Sequence, residues 1–169
     1  TASMLAVVDM GSNSFRLEIG RVEGDQIFRL DTFRETLRLG AGLDARGRLT
    51  AEAQRAAIAC LARFGERLRG FSRSSVRVVA TNTLRIATNS AIFLPRAEKA
   101  LGFPIDIITG HEEARLIYVG VAHVLPASDE PRLVVDIGGG STEFIIGKGL
   151  EPRALESLKI GCVGMTQRF

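Results

Sequence analysis

The chain has 169 residues, of which 46% are hydrophobic and 24% are charged, and its formal net charge is +3. This composition is that of a globular protein, and it excludes disordered, disulfide-scaffold and membrane-spanning classes of protein. The length predicts about one domain with a sizeable core. No signal-peptide pattern precedes the apolar run at Leu5, so we expect a cytoplasmic protein.

The basic side chains are nearly all arginines, since the lysines are limited to Lys99, Lys148 and Lys159. Guanidinium groups bind phosphate through two hydrogen bonds, so this bias favours an anionic partner such as polyphosphate or nucleic acid. Composition alone is equally compatible with solvated surface arginines. Cys60 and Cys162 match no metal-binding spacing and are predicted to be buried thiols.

Periodicity predicts an α/β protein with the element order βββαβαβα, followed by a second series of strands. The predicted strands of the first series are 5–10, 15–22, 26–33, 76–80 and 105–108. The predicted helices are 50–69, 90–101 and 111–124. The later strands are 133–137, 142–146 and 155–160. The predicted organisation is a first domain 1–125, a linker 126–131, and the first strands of an incomplete second domain, 132–169.

The beginning of the chain is repeated near its end. A shift of 127 positions aligns seven identical residues in a pattern of strand, Asp-x-Gly-x-x-Ser turn and strand. The first copy has Val7, Val8, Asp9, Gly11, Ser14, Ile19 and Gly20. The second has Val134, Val135, Asp136, Gly138, Ser141, Ile146 and Gly147. Any two glycine-containing hairpins share some identities, but the matched Asp and Gly positions favour an internally duplicated fold.

Each copy places an aspartate at a strand end and small residues in the following turn. Glycine lets backbone N–H groups approach an anion closely, and hydroxyl groups add further donors. The predicted phosphate-binding residues are Gly11, Ser12, Asn13, Ser14, Gly138, Gly139, Gly140, Ser141 and Thr142. Asp9 and Asp136 would repel phosphate unless a divalent cation lay between them, so they predict a site for Mg²⁺ or Mn²⁺.

Three other phosphate or metal motifs are excluded by inspection. The P-loop pattern GxxxxGK[ST] is absent. The glycine run that begins at Gly138 has Glu143 where the dinucleotide-binding pattern needs its last glycine. The helix that begins near His111 has Arg115 where a zinc peptidase needs its second histidine.

Five stretches together resemble the exopolyphosphatase and guanosine pentaphosphate phosphohydrolase (Ppx/GppA) family. They are DMGSNSFRL (9–17), ATNTLRIATN (80–89), ITGHEEARLIYVGV (108–121), DIGGGSTEF (136–144) and GCVGMTQRF (161–169). The resemblance implies an actin-like ATPase (ribonuclease H-like) fold of two similar domains, with phosphate cleaved in the cleft between them. Family members are longer than this chain, so we expect a fragment whose own activity is in doubt.

The resemblance also implies roles for individual residues. Glu113 matches the family's catalytic base, Arg85 its phosphate-contacting arginine, and Glu143 a second glutamate that serves as a metal or water ligand. The residues alone leave simpler alternatives. Glu113 would be a solvated first-turn glutamate, Arg85 a surface arginine, and Glu143 an ion-pair partner of Arg16.

The resulting hypothesis is an exopolyphosphatase that releases terminal orthophosphate from inorganic polyphosphate by metal-assisted attack of a water that Glu113 activates. Hydrolysis of guanosine pentaphosphate is the nearest alternative, because both substrates end in a phosphoanhydride. A sugar or glycerol kinase of the same superfamily and a non-catalytic sensor of phosphate chains or nucleotides are the other hypotheses. We expect neither a membrane nor nucleic acid as partner, and a homodimer of the full-length protein.

Overall fold

The computed structural model describes residues 3–166, and the chain divides after Ile107 into two compact units. Residues 1–2 and 167–169, which include the end of the motif at 161–169, lie outside the described residues. No helix within residues 3–166 is long and apolar enough to cross a membrane.

The first unit is built on a five-stranded sheet. Its strands are β1 (Ser3–Met10), β2 (Ser14–Glu23), β3 (Gln26–Thr36), β4 (Val76–Ala80) and β5 (Asp106–Ile107). Its helices are α1 (Ala51–Arg67), α2 (Asn82–Ile86) and α3 (Ser90–Leu101). The strand order is β3-β2-β1-β4-β5, in which β1, β2 and β3 pair antiparallel, β4 pairs parallel with β1, and β5 pairs parallel with β4.

Alternation along β1 decides which face of this sheet is buried. Ala6, Val8 and Met10 lie in one apolar cluster with residues of α1 and α3, whereas Leu5 and Val7 are exposed. Successive side chains of a strand point to opposite faces. The helices of the first unit therefore cover one face of its sheet.

Helix α1 begins at a capped residue and approaches α3 closely. The hydroxyl of Thr50 accepts a hydrogen bond from the Ala53 amide at 3.2 Å, which satisfies one of the open amides of the first turn.

Helix α1 also lies very close to α3. A Cβ atom on Gly65 would lie 2.6 Å from the carbonyl oxygen of Leu101. The two helices therefore touch at a position where only glycine fits.

The second unit is a helix packed on a three-stranded antiparallel sheet. Its strands are β6 (Arg132–Ile137), β7 (Thr142–Lys148) and β8 (Glu151–Leu158), in the order β6-β7-β8. Its helices are α4 (Gly110–Val124) and the short α5 (Cys162–Thr166). The α4 side chains Ala114, Tyr118 and Ala122 form a buried cluster with Ile145 of β7.

Tyr118 fixes α4 against one end of β7. Its hydroxyl donates to the carbonyl oxygen of Gly149 at 3.1 Å. A Cβ atom on Gly147 would overlap the tyrosine ring, so glycine is required there for the ring to lie on the strand backbone. These contacts place the unit boundary before α4, whereas the sequence predicts a linker at 126–131, because the apolar stripe of α4 packs on the second sheet.

Other differences concern short or irregular elements. The polar stretch after β4 contains α2, whose five residues are too few for helical periodicity to show. Strand β5 has only two residues, and β8 begins at Glu151 rather than at 155 because Pro152 is tolerated at a sheet edge.

The two cysteines differ from each other. Cys60 is buried as predicted, and burial, followed by a hydrogen bond to Glu35, raises the pKa of its thiol to about 12. Cys162 is exposed at the start of α5, so the prediction that both thiols are buried is wrong for this one.

The two hairpins of the sequence repeat share a shift in strand register as well as identical residues. The pairing of β2 with β3 shifts register between Ile19 and Gly20. The pairing of β7 with β8 shifts between Ile146 and Gly147, which are the residues that the repeat aligns with them. A bulge at the same place in both copies supports a duplicated hairpin.

We predict that replacing glycine by alanine has opposite effects on the free energy of unfolding at two helical positions, Gly65 and Gly120. Gly65→Ala should lower the free energy of unfolding by about 1–3 kcal/mol, because its methyl group meets the α3 backbone. Gly120→Ala in α4 meets nothing within 4 Å and should raise that free energy by up to about 1 kcal/mol through helix propensity. Thermal unfolding of both variants measures this, and a Gly65→Ala protein as stable as Gly120→Ala would contradict the close packing of α1 and α3.

Candidate functional site

The first predicted phosphate loop, residues 11–14 and hereafter turn 1, is a tight reversal between β1 and β2. The amide of Gly11 donates to the carbonyl oxygen of Ser14 at 3.1 Å. A Cβ atom on Gly11 would lie 3.1 Å from that same oxygen, which explains the glycine. The amides of Ser12 and Asn13 donate to no acceptor within residues 3–166.

The carbonyl groups of turn 1 are held from one side by the chain that follows β3. The Gly40 amide donates to the Ser12 carbonyl at 2.9 Å, and the Leu37 and Arg38 amides donate to the Asn13 carbonyl at 3.0 and 2.8 Å. The N–H and C=O of one peptide group point in opposite directions. The Asn13 amide, in the same peptide group as the Ser12 carbonyl, therefore points away from Gly40.

The second loop, residues 138–141 and hereafter turn 2, has the same geometry between β6 and β7. Its Gly138 amide donates to the Ser141 carbonyl at 2.9 Å. The amides of Cys162 and Val163 each donate at 3.0 Å to the carbonyls of Gly138 and Gly139. Within the described part of the chain the amides of Gly139 and Gly140 have no acceptor, and they occupy the repeat positions of Ser12 and Asn13.

Close backbone packing holds turn 2 against the start of α5. A Cβ atom on Gly161 would overlap the backbone of Gly139 and Gly140, so this contact requires glycine. The Thr142 hydroxyl donates to the Ile160 carbonyl at 2.5 Å, so its proton is used to hold the segment before α5. Thr142 thus stabilises turn 2, and its predicted role as a phosphate ligand stays a prediction.

The serine hydroxyls differ in their surroundings. Ser12 is buried, and its Oγ accepts a hydrogen bond from Thr83 Oγ1 at 2.8 Å. Ser14 Oγ accepts one from Arg34 Nε at 3.1 Å. Ser141 is also buried. The predicted phosphate-binding hydroxyls are therefore set in the protein surface rather than freely rotating in solvent.

A polar row crosses the sheet of the second unit beside turn 2. Asp136 lies opposite Glu143, and Glu143 lies opposite Ser157, so the three side chains share one face. Glu143 is only 1% exposed, and the Ser157 hydroxyl donates to its Oε1 at 2.7 Å. A buried carboxylate needs such a donor. Sequence analysis missed Ser157 because only the register of β7 and β8 brings it opposite Glu143.

The repeat-equivalent row of the first unit has different chemistry. Asp9 lies opposite Arg16, which occupies the position of Glu143. Arg16 forms an ion pair with Glu18. Glu143 is hydrogen-bonded by Ser157, so each of the two residues has its own partner within its own unit.

Helix α4 runs with its N-terminus toward the end of the second unit that carries turn 2. Tyr118 lies on Gly147, near the far end of β7. His111, two turns earlier, lies with Nε2 3.9 Å from Oε2 of Glu156, which is opposite Phe144 near the start of β7. The first turn of α4 and the row of Asp136, Glu143 and Ser157 therefore occupy the same end of this unit.

The two glutamates of that first turn have different surroundings. The Thr109 hydroxyl caps the helix by accepting from the Glu112 amide at 3.1 Å. Arg115 donates to both oxygens of Glu112 at 2.8 Å, and this hydrogen bonding raises the pKa of the arginine. Glu113 is half-buried and lies on the side of α4 that also carries Ile117, which packs against the sheet cluster.

Arg85 is positioned by the strand that lies beside β1. Strands β1 and β4 are parallel and end together, with Met10 opposite Ala80. The amide of Thr81 donates to the Met10 carbonyl at 3.3 Å, and α2 begins at the next residue. The half-buried Arg85 therefore lies on α2, a helix that begins at the same end of strands β1 and β4 as turn 1.

The predicted residues thus form one group in each unit. In the first unit, the carboxyl ends of strands β1 and β4 bring together Asp9, turn 1 and Arg85. In the second unit, one end of the sheet brings together Asp136, turn 2, Glu143 and the first turn of α4, which carries Glu113. Within residues 3–166 no three acidic, histidine or cysteine side chains form a cluster that could hold a metal ion by themselves. The carboxylate pair of Asp136 and Glu143 is an all-oxygen donor set, as Mg²⁺ prefers, and this ion is usually held by one or two carboxylates together with phosphate oxygens.

Comparison with known proteins agrees with these motifs. A model of the Ppx/GppA phosphatase family matches residues 19–169. The Aquifex aeolicus PPX-GPPA enzyme is 34% identical, with a TM-score of 0.86 over 100% of this chain and 56% of its own. An exopolyphosphatase from Cytophaga hutchinsonii is 33% identical, with a TM-score of 0.91 over 99% of this chain and 54% of its own. The chain thus spans little more than half the length of these two structures.

A more distant structure shows the fold alone. A chain of a PilM–PilN type IV pilus biogenesis complex is 15% identical, with a TM-score of 0.63 over 96% of this chain and 63% of its own. The predicted α/β class and actin-like fold are confirmed by these neighbours. Together with the family match over 19–169, they show that the chain belongs to the Ppx/GppA phosphatase family.

Proposed function

We propose that the protein hydrolyses phosphoanhydride bonds and that it acts as an exopolyphosphatase on inorganic polyphosphate. The observation that carries this proposal is the pair of repeat-equivalent turns, each with two backbone amides that have no acceptor in the described chain. Successive backbone amides in a turn can form a concave anion-binding site. The similarity to the exopolyphosphatase from Cytophaga hutchinsonii gives further support.

Phosphate oxygens would be bound by several donors of different kinds. The Asn13 amide of turn 1 and the Gly139 and Gly140 amides of turn 2 are fixed in direction, because neighbouring segments hold the carbonyls of the same peptide groups. Arg85 would neutralise charge on the equatorial oxygens of the phosphoryl group that is transferred. Fixed donors of this kind need no reorganisation when charge develops, which is how they lower a barrier.

Glu113 is the proposed base. It would orient a water molecule and accept its proton while the water oxygen attacks the terminal phosphorus. The bridging P–O bond then breaks, and the shortened chain leaves with that electron pair on its terminal oxygen. Glu112 is less suited to this role because Arg115 holds both of its oxygens.

The proposed metal is Mg²⁺ or Mn²⁺, and Asp136 and Glu143 would hold it, with Asp9 as the ligand predicted from the first repeat. When bound, the ion would neutralise phosphate charge next to these carboxylates. The Ser157 hydroxyl fixes one oxygen of Glu143 and so orients the other. A homodimer of the full-length protein and a cytoplasmic location stay predictions.

Substrate assays of the complete protein test the proposed function. We expect release of orthophosphate from linear polyphosphate, measured by a colorimetric phosphate assay, at a higher kcat/KM than from guanosine pentaphosphate. Preferential hydrolysis of guanosine pentaphosphate would favour the nucleotide alternative. Release from neither, with phosphorylation of glycerol or a sugar by ATP, would replace the hydrolase proposal with a kinase.

A substitution in α4 separates hydrolysis from binding alone. Glu113→Gln should lower kcat on polyphosphate by about 100-fold to 10,000-fold with KM little changed, because the base is lost and its shape is kept. Glu112→Gln is the matched control and should keep kcat within about threefold. A Glu113→Gln protein with normal turnover would exclude this residue as the base. If Glu113→Ala altered only affinity in a protein without turnover, the sensor alternative would be supported.

If Asp136 and Glu143 hold the metal, replacing either side chain should weaken the binding of the cation. Asp136→Asn and Glu143→Gln should each raise the Mg²⁺ concentration for half-maximal activity by about tenfold or more, since a carboxylate ligand is replaced by a neutral amide. Paramagnetic resonance of bound Mn²⁺ measures the same affinity without turnover. Unchanged Mn²⁺ binding in both variants would place the metal elsewhere.

A further inference from the structure

A buried contact between two hydroxyl groups joins turn 1 to helix α2. Thr83 Oγ1 donates to Ser12 Oγ at 2.8 Å, although the two residues are 71 positions apart in the chain. Thr83 is 2% exposed and Ser12 is 6% exposed. Thr83 lies in the sequence motif 80–89, in which the resemblance assigns a role to Arg85 but none to Thr83.

The direction of this hydrogen bond determines where the Ser12 proton can go. A hydroxyl group has one proton to donate and two lone pairs that accept. Because Thr83 is the donor, the Ser12 oxygen acts as acceptor in this contact and keeps its own proton for another partner. Among residues 3–166 the Ser12 hydroxyl accepts this hydrogen bond and donates none.

Ser12 is also restrained through its backbone. The Gly40 amide donates to the Ser12 carbonyl at 2.9 Å. A Cβ atom on Gly40 would be in van der Waals contact with both Thr83 Oγ1 and Ser12 Cβ, at 3.4 and 3.5 Å, so the three residues are closely packed. The side chain and the main chain of Ser12 are therefore each held by a different segment.

We propose that Thr83 is a positioning residue that orients the Ser12 hydroxyl toward a phosphate oxygen bound on turn 1. This inference rests on the proposed function of turn 1 as a phosphate site. A donated hydrogen bond polarises the accepting hydroxyl, which makes the Ser12 proton a stronger donor to an anion. The same contact ties turn 1 to α2, the helix that carries Arg85, and so keeps two phosphate-binding elements at a constant spacing.

The test compares Thr83→Val, which keeps the shape and removes the donor, with Thr83→Ser, which keeps the donor. In the complete protein, Thr83→Val should raise KM for inorganic tripolyphosphate about fivefold with kcat within about twofold. Thr83→Ser should restore KM to within about twofold of the wild-type value. Thr88→Val is the matched control, because the Thr88 hydroxyl donates to the carbonyls of Arg46 and Gly47, and its KM should not change.

A double-mutant cycle with Ser12→Ala tests whether Thr83 acts through Ser12. In a Ser12→Ala background, Thr83→Val should change KM less than about twofold, because the hydroxyl that it orients is gone. Equal effects of Thr83→Val in both backgrounds, or failure of Thr83→Ser to restore KM, would overturn the proposal. If thermal unfolding shows that Thr83→Val does not fold, Thr83→Ala takes its place in the same cycle.

Ligand-induced stabilisation separates this inference from the proposed hydrolysis. Tripolyphosphate should raise the Tm of the wild-type protein more than that of Thr83→Val, whether or not the substrate is cleaved. A wild-type protein that binds tripolyphosphate without releasing phosphate contradicts the hydrolase proposal and keeps the Thr83 inference. A wild-type protein that is active, with Thr83→Val equal to it in KM and in Tm shift, contradicts only the inference about Thr83.

Discussion

The candidate site depends on a constraint of the peptide group itself. Because its N–H and C=O point in opposite directions, a segment that binds the carbonyls of a turn from one side directs the corresponding amides to the other side. The segment 37–40 does this for the Asn13 amide of turn 1, and the start of α5 does it for the Gly139 and Gly140 amides of turn 2. Glycine is required at Gly161, where a Cβ atom would overlap the backbone of turn 2, and a Cβ atom on Gly11 would lie 3.1 Å from the Ser14 carbonyl oxygen within turn 1. The anion binding that we propose for both turns would therefore depend on segments outside the turns as well as on the turns themselves.

The duplicated hairpins have kept this backbone geometry while their side chains have diverged. The position that is Arg16 in the first copy is Glu143 in the second, although both lie opposite an aspartate at the end of a strand. The first copy thus adds positive charge beside its turn, and the second adds a carboxylate that Ser157 supports. In the proposed function both turns bind phosphate, and the divergence gives the second unit an additional carboxylate, Glu143, for the metal.

Local patterns in the sequence predicted most of the fold and the two turns, but not the contacts between distant segments. The repeat of Asp9 and Gly11 at Asp136 and Gly138 is visible because the equivalent residues recur at one constant offset. Ser157 has no such signal, because it meets Glu143 only through the register of β8, which also contains a bulge. Tyr118 and Ala122 show that α4 is amphipathic, but periodicity does not say which sheet its apolar stripe covers.

The paired bulges have a consequence for how the sheets meet other molecules. Strand β3 is an edge of the five-stranded sheet and β8 an edge of the three-stranded one, and each carries its register shift along that outer strand. A long, flat edge would offer its open amides and carbonyls to a strand of another chain. The local twist at a bulge interrupts that row, and Pro152 removes one more donor from β8. We therefore expect the two bulges to protect the edge strands β3 and β8 against the addition of a strand from another chain and against the aggregation that follows from it.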